Sequence, residues 1–324
     1  MPDTMVAITQ EGLLLIHGWL PYDRSISHYF TFERDTNTAI SAIRAKRVLA
    51  GPFAPGLEVT PSLFAVSHDA KLVFSGGHWD NSVRVYSVNK QKMVAHIVRH
   101  TDIVTCLALD NYGQHIITGS RDTTCMIWQV IYQSGMSQGL SKRPTQILYG
   151  HTDHVTCVAI SEELDMAASG SKDGTVIVHT MRMGTYMRTL RPMCERSLQL
   201  SVTQLVLSDV GQICVYCEQH LPSKPTKQKK LDLHLYSVNG KHLASETLLH
   251  PLSHMLITDS HLVFGGSQGT LVVKELFGLK TLSTVTLHIP ITCMTVTNGN
   301  SHILAGLSDG KLIIIGIKKP SEVK

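Results

Sequence analysis

Short runs in which apolar, often β-branched residues alternate with polar ones occupy nearly the whole chain, broken by turns rich in Gly, Asp and Asn. Alternation of this kind predicts antiparallel strands that present one face to a core. Stretches such as Val104–Asp110 (VTCLALD) and Val155–Ser161 (VTCVAIS) are typical. No segment carries the apolar positions three and four apart that an amphipathic helix needs.

The pattern also repeats at a longer period. SGGHWDNSVRVYSV, TGSRDTTCMIWQV, SGSKDGTVIVHTM, GGSQGTLVVKEL and AGLSDGKLIIIGI align on Gly77, Gly119, Gly170, Gly266 and Gly306, at spacings of 42, 51, 96 and 40 residues. The longest spacing hides a degenerate copy around ICVYCEQH and LDLHLYSV, from Ile213 to Val238. Each unit holds four runs: a first strand, a turn, two strands joined by Arg-Asp or Asp-Gly chemistry, and a weaker fourth. Four strands every 40–50 residues is the mark of a β-propeller. The expected fold is an all-β, seven-bladed WD-repeat β-propeller of four-stranded antiparallel blades. One domain spans 1–324, with blades near 4–50, 62–98, 102–149, 153–190, 198–247, 254–287 and 291–318. The first blade would comprise MVAIT, LLLIHGW, HYFTFE and KRVLA; the last shows three strands before Pro320.

Within two units the spacing is tighter still. His100, Thr118, Asp122 and Trp128 stand at the same offsets as His151, Ser169, Asp173 and His179. The set resembles the hydrogen-bonded tetrad of WD-repeat blades, in which the turn Asp holds the His, and a Ser or Thr links that His to an aromatic nitrogen. An imidazole can donate as an indole does, so His179 is expected to replace Trp in the network, and Tyr86 takes the equivalent place one unit earlier. The literal Trp79-Asp80 dipeptide is out of register: Asp80 is the turn Asp and Trp79 precedes it at a loop tip.

Composition adds boundaries. In 324 residues, 43% are hydrophobic and 17% charged, which fits a globular protein, and the net charge of +4 is far from a nucleic-acid-binding signature. Met1-Pro2-Asp3 leads into no apolar signal run, and Leu312–Ile317 is too short to cross a bilayer. Seven scattered cysteines suggest reduced thiols in a cytoplasmic protein rather than a disulfide framework. Chemistry is correspondingly sparse. His100, Asp122 and Ser120 imitate a hydrolytic triad, but they recur as part of a structural phrase. Cys214 and Cys217, three apart in a strand, face opposite sides and cannot share an ion; Cys106, Cys157 and Cys293 sit on first strands as small core residues. No cofactor, metal, small-molecule substrate or catalytic residue is expected.

Contact surfaces are better candidates. Trp79, Arg121 and Lys172 each precede a turn Asp, on the rim of one face, and an exposed Trp beside cations is the composition of a protein-binding hot spot. His78 and the loop WLPYDRSISH, with Trp19, Tyr22 and Arg24, extend this candidate protein-binding surface. The loop VIYQSGMSQGLSKRP (Val130–Pro144) is expected to be floppy. PSKPTKQKK (Pro222–Lys230) interrupts the fifth unit between its second and third strands; its Lys224, Lys227, Lys229 and Lys230 define an alternative, a peripheral membrane module that docks on anionic lipid or an acidic partner.

Several stretches together, WLPYDRSISHYFTF, SGGHWDNSVRVYSV, VTCLALDNYGQHIITGSRDTTCMIW, LHLYSVNGKHL and LSDGKLIII, resemble the carboxy-terminal WD-repeat propeller of BEACH-domain proteins, closest to the neurobeachin-like branch. The resemblance implies one domain of a much larger protein, with pleckstrin-homology-like and BEACH domains ahead of it. It implies a protein-binding scaffold for adaptors or cargo in vesicle trafficking and membrane-protein sorting, peripheral on Golgi, endosomal or vesicle membranes and able to contact its own BEACH domain. It supplies no catalytic residues.

Overall fold

A computed structural model describes residues 3–8, 14–19, 53–90, 92–192, 199–220, 229–258, 260–297 and 302–316. They form an all-β structure whose one helical element among them is a 3-10 turn at Pro61–Leu63. β1 (Asp3–Ile8) pairs with β2 (Leu14–Trp19); the runs HYFTFE and KRVLA lie outside the described residues. Sheet A comprises β3 (Phe64–Val66), β4 (Leu72–Ser75), β5 (Ser82–Ser87) and β6 (Lys92–Val98). Sheet B holds β7 (Val104–Leu109), β8 (His115–Ser120) and β9 (Cys125–Gln133), the last flanked by β10 (Met136–Leu140) and β11 (Gln146–Leu148). Sheet C is β12 (Val155–Ser161), β13 (Met166–Ser171), β14 (Val176–Thr180) and β15 (Tyr186–Leu190). Sheet D is β16 (Gln199–Leu207), β17 (Gln212–His220), β18 (Lys229–Ser237) and β19 (His242–Leu248).

The second compact unit, built on the chain from Leu249 onward, carries sheets E and F. Sheet E is β20 (Leu252–Ile257), β21 (His261–Gly266), β22 (Thr270–Glu275) and β23 (Thr281–Thr286). Sheet F has three strands: β24 (Ile291–Val296), β25 (His302–Leu307) and β26 (Leu312–Gly316). Sheets A and C to F are antiparallel meanders in chain order, the topology that short turns between alternating strands dictate, and sheet B departs from it only where β11 pairs back onto β9.

Cores lie between consecutive sheets. Leu72, Phe74, Val83 and Val85 of sheet A pack on Leu107, Ile116, Met126 and Trp128 of sheet B. The other face of sheet B, through Cys106, Ile117, Cys125 and Ile127, packs on Val155, Val158 and Ile160 of sheet C. The remaining face of sheet C meets Val202, Ile213 and Val215 of sheet D. In the second unit Val263 and Leu271 of sheet E pack on Ile291, Met294 and Ile303 of sheet F. The adjacent residues Ile116 and Ile117 therefore serve different cores. A strand covered on both faces is buried along its length, as β5 and β13 are and β8 is beyond His115.

The recurring glycine marks where one sheet presses on the next. A Cβ on Gly119 would stand 2.6 Å from Cys106 Sγ of its own sheet and 2.6 Å from Val155 Cγ1 of sheet C. Gly170 is pinned in the same way by Cys157 Sγ (2.7 Å) and Val202 Cγ1 (2.5 Å); in sheets A and E the pinned glycines are Gly76, under Val104, and Gly265, under Ile291, each one residue before the Gly77 and Gly266 on which the sequence aligns. The neighbouring hydroxyls stitch the same seam: Thr105 Oγ1 lies 3.1 Å from the Gly119 carbonyl and 2.5 Å from that of Val155, and Thr156 repeats this on Gly170 and Val202.

The segment expected to be floppy is ordered. β9 turns through Ser134 and Gly135, both at positive φ (52° and 72°), as a tight hairpin requires, and returns as β10. Ser137 on β10 then reaches sheet A, where Asp69 accepts from its backbone N–H (2.9 Å) and its hydroxyl (2.6 Å). Gly/Ser content suggested mobility, but hairpin pairing and this carboxylate hold the segment down.

The turn between second and third strands places a left-handed residue directly after its Asp: Asn81 (φ 60°), Thr123 (70°), Gly174 (81°) and Gly310 (84°). A β-branched residue there is strained by roughly 1–2 kcal/mol. Thr123→Gly is therefore expected to raise the stability of the chain by about 1 kcal/mol, measured as a shift of the urea midpoint. Gly170→Ala is expected to lower it by about 1–3 kcal/mol through overpacking. Gly139→Ala, whose new Cβ meets nothing within 4 Å, should stay within about 0.5 kcal/mol of the parent.

Candidate functional site

The turns joining the second and third strands of sheets A, B and C carry the candidate contact residues, and those of sheets B and C the aspartates of the expected tetrads. In sheet B the network is a relay. Trp128 Nε1–H donates to Thr118 Oγ1 (3.0 Å), Thr118 lies 2.8 Å from His100 Nε2, and His100 Nδ1–H donates to Asp122 Oδ2 (2.9 Å). Asp122 also accepts from the Thr101 backbone N–H (2.9 Å) and from the Thr124 hydroxyl (2.6 Å). Trp128, Thr118 and His100 are buried, so each bond adds roughly 1 kcal/mol net, and losing a partner leaves a desolvated group at about 1–3 kcal/mol. Burial alone would push the Asp122 carboxyl up; the bonds from His100 and Thr124 win and hold it well below the usual carboxylate range. Ser120 takes no part in a triad: its hydroxyl donates to the Asp102 carbonyl at 3.0 Å and accepts from the Asp122 N–H.

Sheet C builds three quarters of the same relay. His151 lies 2.8 Å from Ser169 Oγ and donates to Asp173 Oδ2 at 3.2 Å. His179 does not complete it. Its Nε2–H donates to the Tyr149 carbonyl (3.1 Å), and its Nδ1 is buried without a partner. Indole and imidazole both carry the N–H on a five-membered ring, but here the imidazole presents its own to the Tyr149 carbonyl rather than to Ser169, so the same position finds a different acceptor. Burial, the leading influence, lowers the His179 pKa.

Sheet A has no tetrad. Asp80 is held by Ser82 (2.6 Å), by Arg84 Nη2 (3.0 Å) and by His96 Nε2 (2.8 Å) instead of a loop histidine. His78, expected at the contact surface, is fully buried. It lies 2.9 Å from Ser75 Oγ and stacks on Phe53 at 5.2 Å, and burial, followed by the charge of Arg84, takes its pKa down to about 4. The turn folds inward at His78 and outward at Trp79, because successive side chains on an extended chain face opposite sides.

Trp79 is 59% exposed, Lys172 is exposed and Arg121 half-buried. Their turns are linked in series. Asn81 Nδ2 donates to the Thr101 carbonyl ahead of β7 (3.0 Å), and His154 ahead of β12 donates to the Arg121 carbonyl (2.9 Å). Trp19 ends β2; Tyr22, Arg24, Lys224 and Lys227 lie outside the described residues. Lys229 and Lys230 belong to β18, paired with His220 and Gln219, rather than to the basic insertion. Lys230 Nζ sits 3.6 Å from Asp232 Oδ2. Cys106, Cys157 and Cys214 are buried, and burial pushes the Cys106 thiol up to about 12, far from reactive thiolate.

Comparison with known proteins bears on the whole chain. The profile of the family described as "Neurobeachin beta propeller domain" matches residues 1–324. "BEACH domain-containing protein B" of Arabidopsis thaliana is 31% identical over 99% of this chain and 13% of that protein. "BEACH domain-containing protein lvsE" of Dictyostelium discoideum is 26% identical over 99% of this chain and 14% of its own length. The chain thus spans about one seventh or less of these relatives. Two solved structures share the fold. A chain of the mitotic checkpoint complex aligns with a TM-score of 0.59, 15% identity and coverage of 79% of this chain and 74% of that one. The computationally designed Ika8 protein gives a TM-score of 0.59 at 17% identity, over 98% of this chain and 81% of that one.

A carboxyl held below its unfolded value of about 3.9 contributes stability above that pH, and this is lost as pH falls through the folded value. Asp122 and Asp173 are both lowered. The parent chain is therefore expected to lose stability as pH drops below about 4. Asp122→Asn should be about 1–3 kcal/mol less stable near neutrality and show a shallower acid dependence, read from urea midpoints across that range.

Proposed function

We propose, because this chain belongs to the neurobeachin β-propeller family, that it is a non-catalytic docking module, a single seven-bladed domain whose successive turns on sheets A, B and C carry a protein-binding surface. The observation that carries this reading is Trp79: a large aromatic side chain left 59% exposed directly beside a histidine the same turn buries. Aromatic and cationic residues on rigid supports are what interface hot spots are made of. Tetrads and cross-links between sheets give the supports. Arg121 and Lys172 add positive charge from equivalent turns, which favours an acidic or carboxylate-rich partner.

The named relatives are BEACH domain-containing proteins. The reading extended to this chain is a propeller that works beside a BEACH domain at the cytoplasmic side of trafficking membranes, recruiting adaptors or cargo. No described helix is long and apolar enough to cross a membrane, so attachment in this reading runs through protein contacts.

The test is affinity recovery of partners with the parent chain and with the Trp79→Ala, Arg121→Ala, Lys172→Ala triple variant. None of the three side chains belongs to a tetrad, so circular dichroism and the melting midpoint should match the parent. Partners recovered by the parent and lost by the variant support the surface. Equal recovery by both rejects it.

A further inference from the structure

In each described sheet the first strand ends at one equivalent position, whose backbone N–H closes onto the second strand. That position carries a hydroxyl in five of the six sheets: Ser67, Ser161, Ser208, Thr258 and Thr297. In sheet B it is Asp110, whose N–H donates to the His115 carbonyl at 3.0 Å. A hydroxyl can satisfy itself within its own turn, as Ser67 and Ser208 do. A buried carboxylate cannot be left so easily.

Asp110 lies beside the His115 imidazole of its own sheet. It is 3% exposed. Its Oδ2 accepts from the His115 backbone N–H (3.1 Å) and lies 3.1 Å from His115 Nδ1. Its Oδ1 is buried with no partner. From sheet C, Glu162, the residue after β12, brings its Oε2 to 4.0 Å from the same His115 Nδ1, and that oxygen is also buried with no partner. One donor atom from each residue lies within 4.8 Å of the others. An imidazole nitrogen and two carboxylates, each with one oxygen buried outside any hydrogen bond, thus meet across a seam between two sheets.

We propose that Asp110, His115 and Glu162 form a divalent-cation site of the kind zinc occupies, clamping sheet B to sheet C. One imidazole and two carboxylates form a borderline nitrogen and oxygen donor set, suited to zinc or manganese and unsuited to copper(I). Ligands about 2 Å from a tetrahedral ion stand about 3.3 Å apart, and the two separations from His115 Nδ1 bracket that value. Three protein ligands leave a fourth position for water.

The neighbouring charges leave the centre to these three residues. Arg182, on the turn after β14, is turned out to solvent and pairs with Asp165 at 3.8 Å. Glu163 accepts from the Tyr112 hydroxyl, and Asp209 from Ser161 and Asn111, so neither competes for the centre. Sequence spacing hides the site, because Glu162 comes from the next repeat and the set contains no cysteine.

The test is zinc titration of the 324-residue chain after chelator treatment, by calorimetry, with cobalt(II) absorption as a second readout. One ion per chain is expected, with an imidazole-carboxylate d–d spectrum free of thiolate charge transfer and a melting midpoint raised by the metal. Asp110→Ser restores the hydroxyl of the other sheets, so it should fold, lose binding at least tenfold and melt at the same temperature with or without zinc. Glu162→Gln and His115→Gln should also lose at least tenfold, while Glu163→Gln binds as the parent does. Absence of stoichiometric binding by the parent overturns the site. So does a folded Asp110→Ser or Glu162→Gln chain that binds zinc as tightly as the parent.

Discussion

The structure depends on one seam, repeated. At the end of the second strand in sheets A, B, C and E a backbone with no side chain lets a β-branched residue of the next sheet come within contact distance. Val155 over Gly119 and Val202 over Gly170 are the clearest cases, with Ile291 over Gly265 as the counterpart in the second unit. The approach removes apolar surface from water on both partners and brings Thr105 and Thr156 close enough to bond across it. Close packing of this kind tolerates neither a void nor an extra methyl group. It sets the spacing of the sheets, and with it everything mounted on their turns.

The hydrogen-bonded relays belong to the same design. Each ties the loop before a sheet to the turn at the far end of that sheet's second strand, so that a single Asp holds both. Sheet B completes the relay through Trp128. Sheet C stops at Ser169, and sheet A substitutes an Asp80–Arg84–His96 cluster for it. The three turns nevertheless have the same backbone shape, with a left-handed residue after the Asp. Packing and backbone geometry recur more faithfully than the side-chain network, because the network can be replaced by any local set that satisfies the buried carboxylate.

A rigid frame of this sort leaves chemistry to its edges. Burial pushes the thiols of Cys106, Cys125, Cys157 and Cys214 toward the protonated form, and the histidines of the relays are occupied by carboxylates and hydroxyls. The turns of sheets A, B and C carry an exposed Trp and, at the next two, cations. At the opposite end of the strands, Asp110, His115 and Glu162 meet at a seam.

Much of this was legible along the chain. Alternation and period specify strands, four to a unit, and the offsets of His100, Thr118, Asp122 and Trp128 specify their bonds, because those distances are fixed once a strand pairs with its neighbour. The limits are equally specific. His78 and Trp79 look alike as turn residues, yet one is buried and one exposed, since the direction of a side chain at a turn is set by what packs beneath it. His179 has the right offset and takes the Tyr149 carbonyl as its acceptor instead. The Gly/Ser-rich hairpin is held by Asp69 of another sheet, and Asp110 meets Glu162 only because two repeats lie side by side. Local pattern determined the strands, their order and the relay of sheet B. The tertiary structure alone decided which polar groups face each other across sheets, because those contacts join residues whose separation in sequence carries no period.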